Sequence, residues 1–309
     1  MKNAYLAGYT DGDGSIFCRI YIQKPKLIRV YESSLQICSV DENICYFFKD
    51  NFTGSVHKRP EKRENRRPTW LWYVKGKNCL NALKNIEPFL IMKKKSSQLC
   101  CLLIENISNS FSYRNQKITQ ETHQIRESLI EQIKKEIHMN DKVDEEKFIS
   151  FKKLSQSKNP TKADFAYFAG LIDAEGCFRI QHWKSKRAGR NESWAISLEI
   201  GNTKSTIFPW LIEHFGGTIT YRKATTQRHN PMIIWSLRSD SLFKILNDVY
   251  PFLHVKKQRC EKLGQFHKTG LLVGGDRKSE KFHIQIMDIL KTRKSLFDEF
   301  QILNAKGKH

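Results

Sequence analysis

The residues with the clearest chemical potential sit in two short stretches. Residues 6–14 read LAGYTDGDG and residues 168–176 read FAGLIDAEG, so Asp13 and Glu175 end near-identical segments, each followed by a glycine. A lone acid after a helix is usually a cap or a turn residue. Two acids delivered by a duplicated segment are different. Carboxylates close to one another, at the negatively polarised end of a helix, are unfavourable unless a cation lies between them. Their hard oxygens suit Mg²⁺, which is held by one or two carboxylates plus substrate phosphate oxygens. Other chemistries fit less well. An EF-hand reading of DGDGSIFCRIYI fails, because Ile16 stands where that loop needs glycine and Ile22 where it needs glutamate. The Gly270–Gly275 stretch has Asp276 where a phosphate loop needs lysine. No G-x-S-x-G or Cys–His arrangement stands out.

The elements that must position these acids are themselves repeated. Asp11 and Asp173 lie 162 residues apart, whereas Gly54/Gly217, Trp72/Trp235 and Pro88/Pro251 all lie 163 apart. Landmarks in one order at one spacing mark a tandem duplication, with one net residue added early in the second copy. Each copy reads as helix, two strands, helix, two strands, helix. Asn3 or Asp164 is expected to N-cap the first helix. Small residues within that helix (Ala7, Gly8 and Gly12; Ala169, Gly170 and Ala174) cost helix propensity. They make sense if the two helices pack more closely than the usual ~8–10 Å. Such packing would bring Asp13 and Glu175 to one point. The expected organisation is residues 1–107, a linker at 108–160, and residues 161–309. In the linker, Ile125, Leu129, Ile133 and Ile137 at four-residue steps predict an amphipathic helix, and residues 282–303 predict a last one.

Composition narrows the partner. The 309 residues carry a formal net charge of +21, which favours a polyanion, nucleic acid before an anionic membrane. A hydrophobic content of 39% is that of a folded chain, yet no apolar run approaches a membrane span. The eight cysteines form no CxxC pair, a pattern expected of reduced thiols inside a cell rather than a disulfide framework. In SWAISLEIGN, apolar and polar residues alternate from Ser193 to Ile200, and Gln36 is the first-copy counterpart of Glu199. A sheet with an open polar face on so basic a chain is expected to lie on a nucleic acid.

The two stretches, with the repeated PFL-x-x-K, resemble the LAGLIDADG motif that names a family of homing endonucleases, and the duplication resembles its single-chain, two-motif members. The resemblance implies an α+β fold: two αββαββα halves related by a pseudo-twofold, with motif helices at the interface and antiparallel sheets forming a saddle over double-stranded DNA. It implies a monomeric enzyme of intron homing. Such an enzyme cuts both strands across the minor groove to leave 3′ overhangs. It implies Asp13 and Glu175, with backbone near Gly12 and Ala174, as ligands of two or three Mg²⁺ ions; Mn²⁺ or Ca²⁺ would substitute, Ca²⁺ without turnover. Asp11 and Asp173 match an earlier motif acid with a helix-end role. Lys93 and Lys256 match lysines near the cleavage site, and Ser39 and Asn202 match a polar position that orients water.

Outward strand residues are the expected base readers: Arg19, Tyr21, Gln23, Gln36, His57 and Arg59 in the first copy, and Arg179, Gln181, Trp183, Glu199, Thr220 and Arg222 in the second. Basic stretches at residues 23–29, 57–68, 182–190 and 221–229 are expected to track phosphates. Because these residues differ between copies, an asymmetric target is expected. An RNA maturase on the same fold is the alternative function, and a non-cutting DNA-binding regulator a third. The expected location is an organelle or a bacterial cytoplasm.

Overall fold

We describe a computed structural model of the chain, covering all residues except 26, 61–67, 112–117, 139–140, 184–192, 227–228, 271–279 and 306–309. The first repeat runs α1 (Lys2–Asp13), β1 (Gly14–Gln23), β2 (Ile28–Ser39), α2 (Glu42–Phe52), β3 (Ser55–Arg59), β4 (Thr69–Lys75), α3 (Gly76–Ile86) and α4 (Lys94–Phe111). The connection holds α5 (Gln120–His138) and α6 (Glu145–Phe151). The second repeat runs α7 (Lys162–Glu175), β5 (Cys177–Trp183), β6 (Ser193–Asn202), α8 (Ile207–Phe215), β7 (Thr218–Arg222), β8 (Met232–Arg238), α9 (Ser239–Val249) and α10 (Lys257–Gly270), followed by α11 (Glu280–Asn304).

Each repeat folds its strands into an antiparallel four-stranded sheet, ordered β1-β2-β4-β3 and β5-β6-β8-β7. The register repeats as the sequence does: Ser39 faces Trp70 where Asn202 faces Ile233, and Ser55 faces Tyr73 where Thr218 faces Ser236. Ser15 faces Gln36 where Cys177 faces Glu199. The offset is therefore still 162 at β5 and already 163 at β6, which puts the extra residue in the hairpin between them. Strand alternation sends Ile16, Leu35, Ile37, Trp72 and Val74 into one core and Phe178, Leu198, Ile200, Trp235 and Leu237 into the other. The two buried tryptophans donate alike, Trp72 Nε1 to Thr53 O and Trp235 Nε1 to Gly216 O, both at 2.7 Å.

The two cores join through α1 and α7. Ala4–Asp11 and Ala166–Asp173 are buried on every side, so neither helix has a solvent face. The helices touch backbone to backbone. A Cβ at Gly8 would lie 1.9 Å from Tyr167 O, and one at Gly170 would lie 2.0 Å from Tyr5 O. Gly12 meets Ala174 just as closely, a Cβ there falling 2.4 Å from the Ala174 Cβ. The expected N-caps need correcting. Thr161 caps α7, and Asp164 returns a bond from the third helical position to the Thr161 N–H at 2.8 Å, a capping box. Asn3 lies inside α1, which starts without a side-chain cap.

The linker braces both repeats. Arg29 pairs with Glu127 at 2.5 Å, and Tyr31 Oη meets His123 Nδ1 at 2.7 Å, fixing α5 to the first sheet. Phe148 of α6 stacks on Tyr221 of β7 with centroids 5.6 Å apart. Of the four residues spaced along α5, Ile133 is buried and Leu129 and Ile137 pack against the core, but Ile125 is 44% exposed and Arg126 is buried beside it. The cause is Arg126, whose guanidinium lies 5.3 Å from the Tyr31 ring centroid and whose Nε donates to Asn106 Oδ1 at 2.8 Å.

Replacing Gly170 with Ala is predicted to drive the two helices apart. Thermal unfolding should show a loss of roughly 3 kcal/mol or more, above the usual range for overpacking because the clash is with backbone. A Gly264→Ala control, where a Cβ meets nothing within 4 Å, should leave stability unchanged or slightly raised.

Candidate functional site

The motif acids are the last residues of their helices, Asp13 of α1 and Glu175 of α7. Because Gly12 touches Ala174 and Glu175, the two carboxylates come out at one place, at the shared end of the two helices. Surrounding protein and the Glu175 charge raise the Asp13 pKa from 3.8 to about 6, while Lys256 and Lys93 pull it back. Two acids held together in this way suit a divalent cation. Among the described residues no group of three or more His, Cys, Asp or Glu side chains could hold a metal. Further ligands would therefore be backbone carbonyls and oxygens of a bound substrate.

Lys93 and Lys256 both lie at the ends of the motif helices. Lys93 Nζ donates to Thr10 O at 2.8 Å, to Asp11 O and to Gly12 O at 3.4 Å; Lys256 Nζ donates to Ile172 O at 2.7 Å and Ala174 O at 3.2 Å. Each ammonium thus caps the carbonyl end of its own motif helix, where partial negative charge collects. The carbonyls near Gly12 and Ala174 are within the reach of these ammoniums. Burial lowers both lysine pKa values, that of Lys256 to about 8.

Asp11 and Asp173 are buried and each accepts four bonds. Asp11 Oδ2 takes Ile91 N at 2.7 Å, Met92 N at 3.0 Å and Tyr167 Oη at 2.7 Å, and Oδ1 takes Lys93 N at 2.8 Å. Asp173 Oδ2 takes His254 N at 2.7 Å, Val255 N at 3.0 Å and Tyr5 Oη at 2.8 Å, and Oδ1 takes Lys256 N at 2.7 Å. These acids hold the lysine-bearing turns ahead of α4 and α10. Their contacts are those of local structure. Tyr5 and Tyr167 were not singled out in the sequence, because aromatics in a buried helix read as core. The available signal was a hydroxyl at matching positions of both copies, since a buried tyrosine hydroxyl needs a partner.

Ser39 is buried, and its Oγ accepts from Tyr9 Oη at 3.2 Å and Asp41 N at 3.1 Å. Asn202 Oδ1 accepts from Lys204 N at 2.9 Å, so both residues shape the turn after their strand. The strand candidates share the sheet faces turned from the helices: in the first repeat Arg19, Tyr21, Gln23, Gln36, His57 and Arg59, in the second Arg179, Gln181, Trp183, Glu199, Thr220 and Arg222. Two of the arginines are pre-oriented by acids. Arg19 Nη2 lies 3.1 Å from Glu32, which also meets Lys75 Nζ at 3.2 Å, and Arg179 Nε lies 2.9 Å from Glu199. Parts of the basic loops, at 26, 61–67, 184–192 and 227–228, fall outside the described residues. All eight cysteines are free; Cys177 is exposed, on the open face of the second sheet. No described helix is long and apolar enough to cross a membrane.

Residues 168–270 match the family model described as LAGLIDADG endonuclease. That match lies in the second repeat, and the first repeat carries a similar stretch at residues 6–14, so the chain is similar to that family in both copies. Its fold matches solved LAGLIDADG structures along almost its full length. With I-SmaMI bound to uncleaved DNA target in the presence of calcium ions, the TM-score is 0.66 at 16% identity, covering 96% of this chain and 98% of that one. With the I-LtrWI LAGLIDADG homing endonuclease bound to target DNA, it is 0.63 at 18% identity, covering 93% and 96%. At such identities the likeness is one of fold. No curated protein sequence matches the chain.

The raised Asp13 pKa has a sign that can be tested. An acid whose folded pKa, about 6, exceeds its unfolded value of about 3.9 binds a proton more tightly when folded. Its contribution to stability therefore falls as pH rises from about 4 to about 6, then levels off. In EDTA, Asp13→Asn is predicted to remove that loss, melting higher than wild type at pH 7.5 but not at pH 4. Added Ca²⁺ should raise the wild-type melting temperature at pH 7.5 and leave the variant's unchanged.

Proposed function

We propose that the chain is a site-specific DNA endonuclease that requires a divalent cation. It would cut both strands of a long, asymmetric duplex across the minor groove and leave 3′ overhangs. The observation that carries this reading is the convergence of Asp13 and Glu175 at the helix junction between two open-faced sheets. Structures of similar fold support it: they include LAGLIDADG homing endonucleases bound to target DNA and to cleaved DNA.

Asp13 and Glu175, with carbonyls near Gly12 and Ala174, would hold Mg²⁺, which supplies positive charge against the phosphodiester oxygens as the bond breaks. The chain's own residues do the rest. Lys93 and Lys256 place an ammonium beside each acid, able to offset negative charge that develops on the phosphate. The rigid α1–α7 contact fixes the spacing between the two half-sites, a task that dimerisation performs in two-chain binders. The saddle strands enter adjacent major grooves, where all four base pairs are distinguishable. The excess of lysine and arginine supplies the sequence-independent phosphate attraction.

Asp13 and Glu175 are different acids in different surroundings, so unequal nicking rates on the two strands are expected. Replacing Glu175 with Gln is predicted to slow double-strand cleavage of a selected target plasmid by at least a hundredfold while leaving binding intact by gel shift in Ca²⁺. Cleavage at the wild-type rate would remove the assignment. Arg179→Ala is predicted to relax base preference at one position of one half-site, at about 1–3 kcal/mol of discrimination. Profiling cleavage of a randomised target library reads this out, and a uniform loss at every position would contradict it.

A further inference from the structure

Two buried hydrogen bonds cross the interface between the repeats. Tyr167 of the second motif helix donates to Asp11 of the first at 2.7 Å, and Tyr5 of the first donates to Asp173 of the second at 2.8 Å. Each aspartate in turn takes three consecutive amides of the turn that ends in its repeat's lysine: Ile91 to Lys93, and His254 to Lys256. We propose that Tyr5 and Tyr167 are positioning residues wired crosswise, so that the lysine of each half-site is set by a hydroxyl from the opposite repeat. The kinetic part of this proposal rests on the nuclease reading above.

Both aspartates are buried, so every bond to the carboxylate matters, and an unfilled acceptor site there is costly. Tyr5 and Tyr167 are themselves 2% exposed and held neutral, their pKa values raised by burial and by the facing aspartate, so each hydroxyl keeps the proton it donates to the carboxylate. The donated bond fixes how far the carboxylate swings toward its turn. The lysine ammonium is tethered at both ends of that assembly. Its backbone N–H is on the aspartate, and its Nζ is on the helix carbonyls that precede the motif acid. A small shift of the carboxylate therefore moves the lysine relative to Asp13 or Glu175. Neither tyrosine reaches the lysine of its own repeat through an equivalent bond. The consequence is that neither half-site is complete within one repeat.

The test uses the full chain with a target duplex obtained by cleavage selection and labelled on each strand. Lys93→Ala and Lys256→Ala first establish which strand each lysine serves. Tyr167→Phe is then expected to slow the Lys93 strand by roughly tenfold, the size of one hydrogen bond to a charged group. Tyr5→Phe is expected to slow the Lys256 strand by a similar factor, and each variant should largely spare the other strand. Amide exchange provides a readout that needs no substrate. Tyr167→Phe should speed exchange at Ile91, Met92 and Lys93 and not at His254, Val255 and Lys256, with the reverse for Tyr5→Phe. Equal slowing of both strands, slowing of the uncrossed strand, or unchanged exchange at both turns would overturn the proposal. A wild-type chain that cuts no duplex would instead remove the nuclease reading, and the exchange pattern alone would then decide the wiring.

Discussion

The contact on which everything else depends is the direct approach of two helix backbones. Gly8 lies against the Tyr167 carbonyl and Gly170 against the Tyr5 carbonyl, with no room for a methyl group at either. Helices of ordinary composition pack with side chains between them, at ~8–10 Å. With that separation the ends of α1 and α7 would diverge, and Asp13 and Glu175 would belong to separate surfaces. The glycines cost helix propensity, about 1 kcal/mol each relative to alanine. The burial of both helices on every side offsets that cost. The same contact sets the spacing of the two sheets, so the meeting of the two acids and the separation of the two open faces have one origin.

A second consequence is that the interface carries polar chemistry as well as packing. Asp11 and Asp173 stand mid-interface, and a buried carboxylate without partners would be severely destabilising. Each is satisfied by the following turn of its own repeat and by a tyrosine of the other. The bonds that make burial tolerable are also those that carry the lysines to the helix ends. Stability and placement of the site are therefore parts of one network. Asp13 departs from this pattern: its raised pKa, about 6, marks an acid held where its charge is disfavoured and where a cation would relieve it.

Much of this was legible in the sequence, for identifiable reasons. Duplication leaves a fixed spacing, and the helix-ending acids, the small residues, the PFL-x-x-K lysines and the alternating strands all survive as pattern. The placement of candidate base readers such as Arg19 and Thr220 on open faces follows from a period of two. What could not be read depends on contacts between distant segments. The crossed bonds from Tyr5 and Tyr167 join residues of different repeats, and nothing local separates those rings from ordinary core. The capping of the Ile91–Lys93 turn by Asp11 is likewise invisible along the chain. The four-residue steps of the linker helix hold at Leu129, Ile133 and Ile137 and fail at Ile125, which is exposed where the neighbouring Arg126 lies over Tyr31. The pairing of Glu32 with Arg19 and Lys75 needs the sheet register.

Asp13 and Glu175 are proposed to form one cation-holding site on a bound duplex. A crystal structure of the chain with a cleavage-selected target in Ca²⁺ is the decisive experiment. Cation density is expected at the helix junction, with oxygens of Asp13, Glu175 and the scissile phosphates at roughly 2.3–2.6 Å. Cations bound elsewhere, with both carboxylates out of reach of any phosphate, would contradict it.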